Sequence, residues 1–208
     1  MRKTLLFLTG ALLAVAACSA YRPGPLPRVT PETMMISKAE RGLTVAADPY
    51  AQVERQQSVF DANFKELNVL PVRVVVENTG DDRLLVRYSD MRLELAGGDQ
   101  LSPAGTTAVA TRIENTSQQF WSTFCFGLPG AFATSSSYDK SRSERQADYQ
   151  TKQFHDITLS KDESANGFVY FILRKDSAYP SSAILIVNYV ERDTGAGGAI
   201  RISLDLMK

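Results

Sequence analysis

Few of the residues from which catalytic and metal sites are usually built occur in this chain of 208 residues, which has two cysteines, one tryptophan and one histidine. The single His155 excludes a histidine set for zinc. With no Gly-x-Ser-x-Gly turn present, it also leaves a serine nucleophile without an evident base. No Gly-x-Gly-x-x-Gly or phosphate-binding loop follows a strand-like run, which removes the usual nucleotide signatures. Charge of one sign is missing too: Lys and Arg number 23, as do Asp and Glu, so no basic surface awaits a nucleic acid. The longest apolar run falls short of the ~20 residues needed to span a bilayer. The cysteines stand at positions 18 and 125.

What the chain does have is an ordered start. Arg2 and Lys3 form a positive region, Thr4 to Val15 an apolar one, and small residues lead to Cys18, the order of a secretory signal peptide. The end of this stretch, Leu12-Leu13-Ala14-Val15-Ala16-Ala17-Cys18, resembles the lipobox of bacterial lipoproteins. That resemblance covers residues 1–19 and implies cleavage before Cys18, a diacylglyceryl group on its sulfur and an acylated new amino terminus. Several acyl chains hold a protein on a membrane far better than one. Ser19 stands where an Asp is the usual inner-membrane retention signal of the lipoprotein family, so the resemblance further implies the outer membrane, facing the periplasm. With Cys18 acylated, Cys125 has no partner for an intramolecular disulfide, and stability has to come from packing.

Removing residues 1–17 leaves 191, of which 21 are basic and 23 acidic. This is enough for one domain with a substantial core. Residues 18–36 read as the lipidated Cys followed by a tether, because Pro23, Pro25, Pro27 and Pro31 favour extended polyproline conformation and a spacer of roughly 30 to 40 Å. From residue 37 onward the pattern is that of a single β-rich domain. Gly42 to Ala47 reads as a first strand, and Asp48-Pro49 as the start of a helix running to Leu67, with Val53, Phe60, Phe64 and Leu67 on one face and Asn68 as its cap. Leu70, Val72, Val74 and Val76 alternate at period two. Leu84 to Tyr88 and Met91 to Leu95 continue as consecutive antiparallel strands, the second closed by Gly97-Gly98.

Residues 104–154 depart from this alternation and read as a helical excursion. Its first arm places Phe120, Trp121, Phe124 and Leu128 on roughly one face, and its second, near Tyr138 to Gln153, is charged and supported by an Asp148/Lys152 pair. Strand signals resume at 157–159, 168–173, 183–190 and 199–206. About eight short strands with glycine-rich turns indicate an antiparallel β-sandwich, and their order resembles an immunoglobulin-like domain with a helix after the first strand and a helical insertion, without the Cys and Trp landmarks of antibody domains.

Other constellations are weak. Ser137-Tyr138-Asp139-Lys140 has the Ser-x-x-Lys spacing but lacks its companion Ser-Asp-Asn and Lys-Thr-Gly elements. Asp81-Asp82 lacks the carboxylate spacing of a calcium loop. Cys125 sits between Phe124 and Phe126 as a small apolar residue. His155 falls where the charged helix joins the next strand. No cofactor, no metal and no nucleic acid is expected. The sequence reads as a non-catalytic, membrane-anchored envelope lipoprotein acting as a binding or assembly module, with an envelope protein as partner. An accessory subunit of an envelope secretion or efflux complex is the alternative, and an envelope hydrolase is a more remote one. Phe120, Trp121, Phe124 and Leu128 are the candidate partner-binding residues, since aromatic anchors carry much of the energy at interfaces. Either the domain itself or a partner covers them, and Trp121→Ala separates the two. Within a core it should cost about 3 to 5 kcal/mol of stability; at an interface it should leave the unfolding midpoint nearly unchanged and weaken crosslinking to the partner.

Overall fold

The computed structural model describes residues 21–26, 34, 36–112, 135–174 and 179–207, with the side chains of 135–142 outside the description. The chain enters through a hairpin of β1 (Ser37–Glu40) and β2 (Leu43–Pro49). Arg41 and Gly42 both have positive φ, 47° and 77°, the two-residue turn whose twist suits a hairpin. A side chain at Gly42 is further barred by Gly80, whose Cα would lie 2.7 Å from a new Cβ.

The helix that follows is shorter than the apolar spacing suggests. Helix α1 covers Val53–Phe60 and ends where Asp61 turns left-handed at φ 48°. Asp48 and Pro49 close β2 and do not open the helix; Gln52 is its N-cap, and the Asp48 carboxylate is taken by Arg55 at 2.5 and 3.0 Å. Phe64 and Leu67 still reach the core, through tight turns in which Leu67 N–H bonds Phe64 O and Val69 N–H bonds the same oxygen. Asn68 is left-handed as a cap would be, at φ 53°, but it ends these turns. Because β1 precedes β2, the helix follows the second strand and not the first.

Next come β3 (Val69–Asn78), β4 (Leu84–Val86), β5 (Arg92–Leu95) and β6 (Gln100–Leu101). Residues 106–112 are helical (α2), and α3 spans Ser135–Lys152. The chain closes with β7 (Ile157–Leu159), β8 (Ser164–Ile172), β9 (Ser182–Glu191) and β10 (Gly197–Asp205). One antiparallel sheet has the order β1-β2-β3-β8. In the other, β9 pairs with β10 on one side and with both β4 and β5 on the other, while β7 pairs with β4 and β6 with β5.

The expected run of consecutive antiparallel strands is therefore corrected. β3 belongs to the first sheet, whereas β4 and β5 lie end to end along β9 without pairing with each other. Val86 faces Tyr189 and Arg92 faces Ile186, so five residues, 87–91, stand opposite only two on β9. The excess coils into a 3-10 turn at Tyr88–Asp90. This interrupts what alternation alone reads as continuous strand. Asn78 fixes the passage between sheets: fully buried, its amide donates to Asp82 O at 2.7 Å and to Leu159 O at 3.1 Å, and its Oδ1 accepts from Gly80 N–H.

The main core fills the space between the sheets, as in a β-sandwich. Leu70, Val72, Val74 and Val76 of β3 and Val169 and Phe171 of β8 face Leu185 and Val187 of β9 and Ile200, Ile202 and Leu204 of β10. β3 is buried on its other face as well, because a second, aromatic cluster covers that side of the sheet.

Candidate functional site

The second cluster begins with the strand register. Across the outer face of the first sheet, Asp48 of β2, Arg73 of β3 and Phe168 of β8 stand in one row. Pro71 pairs with Tyr170 and Val69 with Ile172 in the rows beside it. A β-strand directs alternate residues to opposite faces. The sequence Phe168-Val-Tyr-Phe-Ile172 thus sends Phe168 and Tyr170 outward while Val169 and Phe171 enter the main core.

Helix α1 lays Phe60 on this surface. Its ring meets Phe168 at 4.8 Å, Phe64 at 4.9 Å, Tyr149 at 6.0 Å and Tyr170 at 6.0 Å, mostly edge to face. Such pairs contribute about 0.5 to 1.5 kcal/mol each beyond area burial. Tyr50, held by its N–H to Pro71 O, stands edge-on to Phe168 at 4.8 Å, and the Arg55 guanidinium lies 4.0 Å above its ring. Gln56, with no exposure, bridges Tyr50 O and Lys65 N–H.

Two cations are sunk into this layer. Arg73, 1 % exposed, donates from Nη2 to Asn166 Oδ1 at 2.9 Å and lies 5.7 Å from the Phe168 ring. Burial pushes its pKa down, and Tyr50 and Asp48 oppose that. Lys152, 4 % exposed, donates to Val59 O at 2.6 Å and to Asp148 Oδ2 at 2.7 Å, with Phe60 5.4 Å away. The Asp148/Lys152 pair read from sequence as support for a charged helix is thus an internal clamp. It binds α3 to the end of α1.

The same carboxylate receives the N-terminal segment. Tyr21 donates its hydroxyl to Asp148 Oδ2 at 2.7 Å, stands edge-on to Tyr149 at 6.5 Å, and carries the Arg145 guanidinium 4.7 Å above its ring. Arg22 N–H donates to Asp61 Oδ2 at 3.0 Å, and Leu26 packs against the cluster. Gly24 passes so close to α1 that a Cβ would lie 2.1 Å from Ser58 O. Within the tether expected at residues 18–36, residues 21–26 lie on the domain; the rest of that stretch, apart from residues 34 and 36, lies outside the described residues. Polyproline backbone leaves its N–H and C=O groups free, and in this segment side-chain contacts decide where it lies.

The layer seats residues 21–26 through Asp148, Asp61, Arg145 and Tyr149, while Arg73 is held by Asn166 and Lys152 by Asp148 and Val59 O. His155 is exposed between α3 and β7, and its neighbour Asp156 accepts Tyr88 N–H at 2.7 Å. Cys18, Cys125, Phe120, Trp121, Phe124 and Leu128 lie outside the described residues, as do the side chains of Ser137 and Lys140. Phe60, Phe64, Leu67 and the Asp148/Lys152 pair were visible in the sequence as a buried helix face and an ion pair, whereas their role as a seat for Tyr21 was not; Arg145, Asp148, Tyr149 and Lys152 share a helical face at spacings of three and four.

Comparison with known proteins adds little: no family model and no curated protein matches the chain. Among solved structures, a provisionally named lipoprotein of Bacillus subtilis (ycdA) aligns with a TM-score of 0.43 and 16% identity over 83% of this chain. The alignment takes in 39% of that neighbour, so this chain spans about two fifths of its length.

Burial raises the pKa of the phenols in the layer. Tyr149 is pushed up to about 12, with desolvation the main cause, and Tyr170 and Tyr21 are raised as well. A phenol titrates near 10 in an unfolded chain. The fold therefore holds the proton longer than the unfolded state does, and this stabilisation is complete below pH 10 and lost as pH climbs toward the folded value. For Tyr149, stability should fall above pH 10 by about 1.4 kcal/mol per pH unit until its folded value is reached. In alkaline unfolding followed by circular dichroism, Tyr149→Phe should show a shallower decline between pH 10 and 12 than the parent protein. An equally steep decline would exclude Tyr149 as a contributor.

Proposed function

We propose that the chain is a bacterial lipoprotein, anchored through Cys18 to the outer membrane and facing the periplasm, whose domain is a non-catalytic binding or assembly module. The observation that carries this reading is the seating of Tyr21 to Leu26, the residues directly behind the lipobox-like site, on the domain's own aromatic layer. A leader removed at a plain cleavage site further on would take part of that segment with it. Cleavage before Cys18 leaves the segment whole and puts the lipid at its head. No helix among the described residues is long and apolar enough to cross a membrane, and the proposed anchor requires none.

The domain itself is best read as immunoglobulin-like. In support, β2-β3-β8 on one side and β7-β4-β9-β10 on the other follow the order of the A-B-E and C′-C-F-G strands of that fold, with β9 and β10 as the final hairpin. A sandwich of this kind presents surfaces for partners, and the aromatic face of residues 120–128 remains the candidate place for an envelope protein.

Cys18→Ala tests the anchor. The variant should lose palmitate labelling and leave the membrane fraction as soluble periplasmic protein, or persist as uncleaved precursor. Wild-type labelling and fractionation would contradict the reading.

A further inference from the structure

The seat of Tyr21 and the position of Cys18 together determine which way the domain faces. We infer that the outer side of the α1/α3 layer, around Tyr21, Arg22 and Arg145, is a membrane-apposed surface held against the phospholipid headgroups. This rests on the acylation of Cys18 proposed above.

The argument is one of chain length. Three residue steps separate Cys18 from Tyr21, and an extended chain covers at most ~3.3–3.6 Å per residue, so the lipid-bearing sulfur stays within roughly 10 to 15 Å of Tyr21 once its own side chain is counted. Tyr21 is not free to swing away, because its hydroxyl is bonded to Asp148 and its ring lies between Arg145 and Tyr149. Arg22 is pinned through its backbone to Asp61, and Gly24 lies directly on the α1 backbone at Ser58. The acyl chains must enter the bilayer, so the patch of domain surface at Tyr21 is brought to the headgroup layer. The far sheet then points into the periplasm. Sheets pack about 10 Å apart and the helical layer adds a comparable thickness, which puts the outer face of β10 on the order of 20 Å farther from the lipid than α3. The surface at the membrane is polar and carries the side chains of Arg22 and Arg145, groups suited to phosphate oxygens. The orientation is fixed by a segment whose prolines read from sequence as an extended spacer.

The experiment uses the full acylated protein, purified from membranes with Cys125→Ser and reconstituted in vesicles of phosphatidylethanolamine and phosphatidylglycerol containing a headgroup-labelled acceptor lipid. A donor dye is placed on Ala147→Cys, exposed on α3, or on Ser203→Cys, exposed on the outer face of β10. Flotation with the vesicles reports the anchor, and energy transfer reports the orientation. Both labelled proteins should float, with transfer severalfold stronger from position 147 than from 203. Gly24→Val, which cannot keep its approach to Ser58, should still float but bring the two transfers close together. Equal transfer from both positions in the parent protein, with flotation intact, overturns the orientation and leaves the anchor standing. A protein that does not float overturns both.

Discussion

Covering the outer face of β3 and β8 is the constraint on which the rest of the molecule depends. An antiparallel sheet in a sandwich can leave its outer side to water. Here that side presents Phe168, Tyr170, Val69 and the stem of Arg73, a surface too apolar to be left bare. The chain covers it with the α1 turn region, with Val109 of α2, with α3 and with the segment that carries Tyr21. Phe60 is central to this layer, its ring standing against those of Tyr50, Phe64, Tyr149, Phe168 and Tyr170. Arg73 and Lys152 then find their environment already made, and each is held by hydrogen bonds and an aromatic face, the condition under which a buried cation is tolerated.

Much of the sandwich was legible in the sequence for a simple reason. Period-two alternation at 183–190 reflects one side chain in the main core and the next on the other face, and at 70–76 it separates the main core from the covered outer face of the sheet; Gly97-Gly98 follows the end of β5, and Gly195 lies in the turn between β9 and β10. Legibility failed where alternation and spacing are silent about the third dimension. The three excess residues at 87–91 change the sheet partner without changing the pattern of apolar residues. Val53, Phe60, Phe64 and Leu67 keep helical spacing although the helix stops at Phe60, because successive tight turns return side chains to the same side. Tyr21 gave least warning: one aromatic in a run of prolines looks like a tether residue until α3, more than a hundred residues later, supplies Asp148 and Tyr149.

A lipid anchor followed by a docked segment differs physically from one followed by a free spacer. A spacer sets only the distance a domain can wander. On the proposed anchoring at Cys18, a docked segment fixes which face meets the membrane and which faces stay open. Such a domain would offer a partner a defined surface without an ordering cost for the tether on each encounter, a form of preorganisation.

The central claim is that the N-terminal segment is part of the folded structure, and the Tyr21–Asp148 hydrogen bond is its most direct expression. A double-mutant cycle with Tyr21→Phe and Asp148→Asn, read by denaturant unfolding of the mature chain, isolates that contact. Since the bond is made to a carboxylate and is partly buried, the account predicts a coupling of about 1 kcal/mol or more. Strictly additive effects of the two substitutions would contradict it and return Tyr21 to an unattached tether.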